Sequence, residues 1–464
     1  MADDDLSPAT VDLLITGCDV VCLDAADTVV CDAAIAISGS RIEWIGPSAE
    51  AARRFVAKET LNGSGKIAMP GLIDGHVHAT QQLLRGRIAT LARQRPLKIP
   101  IWKNYLIPFE ALLDPEDVYL SGLVCYANML MVGTTCFAEA GGPHPDEMGR
   151  AALDVGLRGF ISLNTADQGG GIPPSMMMTT DQALRDNVDL VERWQAQAQD
   201  RVRAWLSLRQ IMVCTPDLIR EIAKAARQLD TKIHTHLCEG TYEIDYALEQ
   251  FGKRPPEFMA DMEAFDRHVH CAHSVVLTTE DIDLYSEHRP SACHCAFNNY
   301  HIGWPQLLVM WRRGIDIALG TDGAASWGPM DIYQVAHAAR IGQQLVAGTP
   351  AHHRNVTTGE ELIRVATNGG ARALALEADI GSLEAGKKAD IVLVTADDMD
   401  QVPVADPLFA VANTVVGRDV QTVIVDGEIV MHDRQLLRVD ADEIRSQLDA
   451  RMPVLLERFE NAIG

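Results

Sequence analysis

The 464-residue chain carries 64 acidic against 40 basic side chains, a formal charge of −24. That charge repels polyanions at long range, which excludes unspecific binding to nucleic acid or to an anionic membrane surface. With 47% apolar residues, few aromatic ones and ten cysteines without regular spacing, the composition fits a globular α/β protein with reduced thiols and excludes a disulfide framework.

The N-terminal stretch MADDDLSPAT is acidic and lacks a basic segment followed by an apolar one, so no secretory signal is expected and the protein is placed in the cytoplasm. From Val11 to about Gly63 the pattern is β-like. DLLITGCDVVCLD and AIAISGSRIEWIG have strand composition, with Gly39-Ser40 as a hairpin turn between Ile37 and Ile42. Apolar Ile67, Met69, Leu72 and Ile73 then lead, as a buried strand, into His76-Val77-His78. Residues at i and i+2 share one strand face, so both imidazoles reach a single metal ion beyond the strand's C-terminal end.

Asp114 caps a helix opening at Pro115, with Val118, Leu123, Ala127 and Leu130 on its apolar face and Gly133 as its stop. Residues 120–138 are the most apolar stretch, but Asn128 and Gly133-Thr134-Thr135 divide them into a helix end and a strand start, not a membrane span. Further strands are expected at 134–138, 159–163, 202–208, 232–237, 268–272, 291–294 and 316–319, with helices at 181–197, 215–229 and 305–313 among the connections. Counting the strand before His76, this makes eight βα units, the number that closes a barrel. Residues 164–180 interrupt the alternation with Gly169-Gly170-Gly171, Pro173-Pro174 and Met176-Met177-Met178. Such a loop is either a lid or a disordered excursion, and its methionines either contact a substrate or fill a gap in the core.

Beyond Ala371 the chain turns β-like again in IGSLEAGKKADIVLV and VQTVIVDGEIVMHD, and a helix at 441–459 closes it. Neither terminal segment alone offers enough strands to bury a face, so the two are expected to pack together. The expected organisation is 1–68 as the first part of a small β-sandwich domain, 69–378 as the barrel, and 379–464 as the second part of the sandwich with the closing helix.

In a barrel the chemistry gathers at the C-terminal strand ends. The strand at 232–237 runs through His234 to His236 and Glu239, giving His236 as a third nitrogen ligand and Glu239 as an acid/base group. In His268-Val269-His270-Cys271-Ala272-His273, His270 lies nearer the strand end than His268 and is taken as a site histidine, with His273 as structural. The apolar run to Leu319 ends in Gly320-Thr321-Asp322-Gly323, where Asp322 either completes the metal shell or caps the next segment. Together these make a mixed nitrogen and oxygen shell with room for one water.

The motifs PGLIDGHVHATQQLLRG, HTHLCEGTYE, VHCAHSV, ALGTDGAAS and IGSLEAGKKADIVLV, in this order, resemble the amidohydrolase superfamily in its branch of cytosine, guanine and 8-oxoguanine deaminases and triazine hydrolases. The resemblance implies a (β/α)8 barrel with a small β-sandwich domain. It further implies one divalent metal ion, Zn²⁺ ahead of Fe²⁺, held by His76, His78, His236 and Asp322, with Glu239, His270 and Asp322 serving catalysis. The implied activity is hydrolytic deamination of an amino-substituted purine, pterin, pyrimidine or triazine, with water as co-substrate and ammonia as product. Dechlorination, alkylamine removal or cyclic-amide hydrolysis at the same site is the alternative, and an inactive metal-binding protein a more distant one. Relatives often form dimers or tetramers, so a homo-oligomer is expected.

Leu208-Arg209-Gln210 ends the fourth strand where binuclear relatives place a lysine, which favours a single metal, and no Pro-Cys-x-x-Cys motif points to the cytidine deaminase fold. Gln81, Arg209, Gln210 and Glu139 are the expected substrate contacts. Ala296 and Asn298 stand where relatives show proline and serine, so the seventh loop is expected to have its own shape; Cys293 and Cys295 read as buried thiols.

Overall fold

A computed structural model describes residues 8–197 and 200–463. Residues 1–7, and with them most of the acidic stretch in which a secretory signal was sought, lie outside the described residues.

Five strands open the chain: β1 (Ala9–Val21), β2 (Val29–Ser38), β3 (Arg41–Pro47), β4 (Phe55–Asn62) and β5 (Lys66–Pro70). Ten parallel segments follow: β6 (Leu72–His78), β7 (Thr134–Glu139), β8 (Arg158–Ile161), β9 (Val202–Ala204), β10 (Leu206–Gln210), β11 (Ile233–Leu237), β12 (Val269–His273), β13 (Ser291–His294), β14 (Ile317–Leu319) and β15 (Asp322–Gly323). Then come β16 (Ile391–Thr395), β17 (Val420–Val425), β18 (Glu428–His432) and β19 (Gln435–Leu436).

The first five and last four strands hydrogen-bond into one nine-stranded sheet, in the order β19-β18-β17-β16-β5-β1-β2-β3 with β4 beside β1. Its two halves meet edge to edge through antiparallel pairing of β5 with β16, which removes two unpaired strand edges at once. Ile15, Ile35 and Ile37 from the chain's start share an apolar cluster with Ile391, Leu393 and Ile424 from its end. The β2–β3 hairpin turns at Gly39-Ser40, where Gly39 takes φ +54°.

The apolar run before His76 belongs to two sheets: β5 lies in the terminal sheet and β6 in the barrel. The crossing is at Gly71, where a Cβ would lie 2.0 Å from the Thr135 hydroxyl, so only glycine passes.

The barrel order is β10-β11-β12-β13-β14-β6-β7-β8-β9. Only Trp205 separates β9 from β10, and its N–H donates to the Ile161 carbonyl at 2.9 Å. β15 continues β14 by pairing Asp322 with Val77 of β6. Ten segments therefore occupy eight positions, and the (β/α)8 barrel closes. Ile73, Cys136, Ala138, Phe160, Trp205, Cys293 and Ala318 share one buried cluster inside it, with the Phe160 and Trp205 rings stacked at 4.3 Å. A filled interior leaves a ligand only the barrel mouth.

The helix Pro115–Met131 starts in a capping box between Asp114 and Asp117, and β7 begins three residues after it ends. Among the described residues no helix is long and apolar enough to cross a membrane. In the 164–180 loop Met176 is buried and Met177 and Met178 pack against the main core, so the methionines fill space there. The closing helix Ala441–Ile463 lies on the barrel through an edge-to-face pair of Phe459 and Phe109 at 5.5 Å.

Candidate metal centre and active site

Two strand ends, those of β6 and β11, bring the imidazoles of His76, His78 and His236 together, all fully or nearly fully buried. Their nearest ring nitrogens lie within 4.8 Å of one another. His78 Nε2 is 3.1 Å from His236 Nε2, and the Asp322 Oδ1 oxygen is 3.6 Å from His76 Nε2 and 3.7 Å from His78 Nε2. A tetrahedral ion with bonds of about 2.0–2.1 Å spaces its ligand atoms about 3.3–3.4 Å apart, so the cluster has the dimensions of a zinc-type shell. His76 Nε2 is buried and has no hydrogen-bond partner, an orphaned lone pair that a metal would satisfy.

For His236 and His76 the outer nitrogen is fixed in a way that aims the inner one. His236 Nδ1 is 2.8 Å from the Arg209 carbonyl and donates to it, leaving Nε2 facing the cluster. His76 Nδ1 lies 2.9 Å from His234 Nε2. Burial pushes all three cluster imidazoles well below the ordinary histidine range, which keeps them neutral, the form that binds metal. Below them, the buried Asp74 carboxylate accepts from the His76 and Thr321 N–H groups, both at 3.1 Å, and ties β6 to the turn that presents Asp322.

His270 is a correction. The expected site histidine sits one layer deeper, level with His234 in the β11–β12 register. Its Nδ1 is 2.9 Å from the Ser291 hydroxyl and its Nε2 is 2.9 Å from the Gly75 carbonyl, so neither nitrogen is free. Its ring packs 5.7 Å from Trp205 and does not line the cavity. His273, read from sequence as structural, takes the place instead. Its ring is 5.1 Å from that of His76 and 5.4 Å from that of His236, and it groups with His76 and Asp322 within ligand distance. Asn299 Oδ1 lies 3.1 Å from His273 Nδ1 and holds the ring's other nitrogen toward the cavity. Burial lowers the His273 pKa, but the negative charge of Glu239 and Asp322 and a hydrogen bond with the Cys295 sulfur outweigh it and hold the group up at about 10.

Above this cluster opens a cavity of about 380 Å³. Its floor includes His78, His236, His273, Asp322, Glu239 and the pair Arg209 and Gln210, so these two expected contacts are where a substrate would meet them. Ile88, Ile99, Trp102 and Leu106 form one apolar wall, and Ile302 and Trp327 stand on another. Glu239 Oε2 accepts from the Tyr242 hydroxyl at 2.6 Å and from Gln210 Nε2 at 3.3 Å. Arg209 is held from behind by Glu110 and Asn164, both at 3.3 Å.

Gln81 and Glu139 are further corrections, since neither lines the cavity. Gln81 donates to Glu110 at 2.8 Å and packs over Gly323. The Glu139 carboxylate accepts the Ala79 N–H at 3.1 Å on both oxygens, directly behind His78, and burial pushes its pKa up to about 8. Asn298, noted only as a departure in the seventh loop, donates to Asp322 Oδ2 at 2.9 Å and so orients the proposed oxygen ligand. Cys293 and Cys295 are buried free thiols.

Residues 67–430 match the model of the amidohydrolase family. The chain is 31% identical over 445 residues to a 5-methylthioadenosine/S-adenosylhomocysteine deaminase of Moorella thermoacetica, covering 95% of this chain and 99% of that one. The corresponding enzyme of Caldanaerobacter subterraneus is 33% identical over 402 residues, covering 85% and 88%. Among solved structures, an adenosine deaminase from Xanthomonas campestris with bound zinc superposes with a TM-score of 0.88 at 26% identity, covering 98% of this chain and all of that one.

Proposed function

The chain belongs to the amidohydrolase family, and from that premise we propose that it is a metal-dependent hydrolase that deaminates an amino-substituted N-heterocycle. The observation that carries this reading is the convergence of His76, His78, His236 and Asp322 beneath a cavity whose floor also holds Glu239. A bare binding protein has no need of an acid/base group there. The adenine-type substrates in the names of the similar deaminases support a purine or purine-like ring.

His76, His78, His236 and Asp322 would hold one ion, and we take Zn²⁺ ahead of Fe²⁺ because three imidazoles and one carboxylate at these spacings suit it. With a divalent ion held by these residues, bound water would have its pKa lowered to about 7 and hydroxide would be available near neutral pH. At one edge of the ring the Arg209 guanidinium would donate, and the Gln210 carbonyl oxygen, which has no partner, would accept. Addition of water across the ring C=N bond makes the amine-bearing carbon tetrahedral; Asp322 accepts the water's proton and Glu239 delivers one to the ring nitrogen. The amine then takes the proton from Asp322 and departs as ammonia, while the added hydroxyl becomes the product carbonyl and returns its proton to Glu239. His273, its ring held by Asn299 and facing the cavity, would donate a hydrogen bond to negative charge developing on the attacking oxygen.

The same reading has residues 1–68 and 379–464 as one small domain, 69–378 as the catalytic one, and a homo-oligomer working in the cytoplasm. Ten free thiols, nine of them buried, suit a reducing compartment. The test is ammonia release from adenosine, 5-methylthioadenosine, guanine, pterin, cytosine and melamine, with metal analysis of the same preparation. Release from at least one member by a preparation with one metal per chain is expected. A metal-loaded enzyme that releases none from any of them overturns the reading.

A further inference from the structure

We infer that Tyr242 and Trp102 are positioning residues that couple the cavity wall to the orientation of Glu239, an inference that rests on the hydrolytic reading above. The Tyr242 hydroxyl donates to Glu239 Oε2 at 2.6 Å, and the Trp102 Nε1–H donates to that same hydroxyl oxygen at 3.1 Å. The three groups form one directed chain, indole to phenol to carboxylate. Both rings also line the cavity.

Glu239 needs such a restraint. It follows Cys238, whose left-handed φ of +52° ends the regular course of β11, and it stands in the loop beyond the strand. Its N–H is held by Glu243 at 2.9 Å, which fixes the backbone but not the carboxylate. The other donor to Oε2 is Gln210 Nε2 at 3.3 Å, and that amide is shared with Glu243 at the same distance. The short bond from Tyr242 to Oε2 is therefore the one that decides how the carboxyl group is turned toward the cavity.

Trp102 comes from a remote part of the chain, 140 residues from Tyr242, on a helical segment that begins at the cavity mouth. Its neighbours Ile99, Pro100 and Ile101 line the same wall, and Ile99 is 77% exposed. A flat heterocycle seated against this wall holds the indole in place. The indole N–H then holds the phenol, and donation into the phenol oxygen strengthens the phenol's own donation to the carboxylate. Substrate seating and proton-transfer geometry are thus set by one chain of contacts.

The experiment is steady-state ammonia release with the fastest substrate of the panel above, on enzyme checked for metal content and thermal midpoint. Tyr242→Phe removes one oxygen and keeps the ring's packing. It is expected to lower kcat about ten- to a hundredfold, the range for losing a hydrogen bond to a charged group, with KM within about twofold. Trp102→Phe is expected to lower kcat by a smaller factor. Combined with Tyr242→Phe it should add nothing to kcat, because the chain is already cut at the hydroxyl. A Tyr242→Phe enzyme with unchanged kcat, or a Trp102→Phe effect that multiplies fully in the double variant, overturns the inference while leaving the hydrolytic reading intact. A wild-type enzyme inactive on the whole panel overturns both.

Discussion

Replacing His273 and His270 separately tells apart a residue of the reaction from a residue of the barrel core. His273→Ala removes a ring that groups with His76 and Asp322 at the cavity floor and is held by Asn299 at 3.1 Å. Loss of one preorganised donor at a developing oxyanion costs about 10²–10³ in kcat. His273 is buried as well, but its ring borders the cavity and not the filled barrel interior, so the loss of its Asn299 bond should lower stability by about 1–2 kcal/mol, less than in His270→Ala. His270→Ala has the opposite profile. It strips the Gly75 carbonyl and the Ser291 hydroxyl of partners at 2.9 Å and opens a void beside Trp205 in a filled barrel. An unsatisfied buried carbonyl costs about 1–3 kcal/mol and the void adds about 2 more, for about 3–5 kcal/mol in all. Ammonia release per bound metal and urea unfolding of both variants separate the cases. Full kcat in His273→Ala, or lost kcat without lost stability in His270→Ala, would refute the reasoning.

Glu239→Gln should retain one metal per chain and lose about 10²–10⁴ in kcat, the span of a general acid/base; metal analysis beside the rate assay checks it, and unchanged turnover would remove Glu239 from the reaction. Asn298→Ala frees Asp322 Oδ2 from its 2.9 Å donor. It should weaken metal retention about 10- to 100-fold in competition with a chelator, and equal retention would show that Asp322 needs no outer support. Glu139 has its pKa raised to about 8 by burial, against about 4.3 in the unfolded chain, so between those values the folded state binds the extra proton. Its contribution to stability is therefore full below about pH 4.3 and lost as pH rises through about 8, at up to about 1.4 kcal/mol per unit. Glu139→Gln should flatten that slope in urea unfolding at a series of pH values, whereas parallel curves for variant and wild type would rule the assignment out.

Much of the barrel was legible because its signals are local. Buried parallel strands read as short apolar runs, and seven of them fell close to their expected places; Ser291–His294 matches to the residue. The cap at Asp114 and Pro115 was legible for the same reason, since capping is a contact between near neighbours. The division of one apolar run at Gly71 was not. It depends on Thr135 standing in the way of any Cβ, a contact made across the sheet. The edge-to-edge join of β5 and β16 is likewise long-range: pairing needs two compatible edges, and composition alone reveals each strand without its neighbour.

At the site, side-chain alternation explains both the success and the error. His76 and His78, two apart on β6, point inward together as alternation requires. The same rule groups His270 with His268 on one face, and of those two His270 lies nearer the strand end, which made it the choice while His273 read as structural. Left-handed φ values break the rule: +72° at His273 and +49° at Ser274, with +52° at Cys238 and +61° at Asp322 on neighbouring strand ends. Non-glycine residues take such values at a cost of about 1–3 kcal/mol each and keep them only where surrounding contacts insist. At this mouth the backbone turns from its strand course and brings His273 to the cavity. The sequence signal that was available is the third histidine in HVHCAH, placed at the very end of the strand. Period-2 reasoning should therefore stop one residue before a strand end that carries a metal-type side chain, because that is where this fold departs from it.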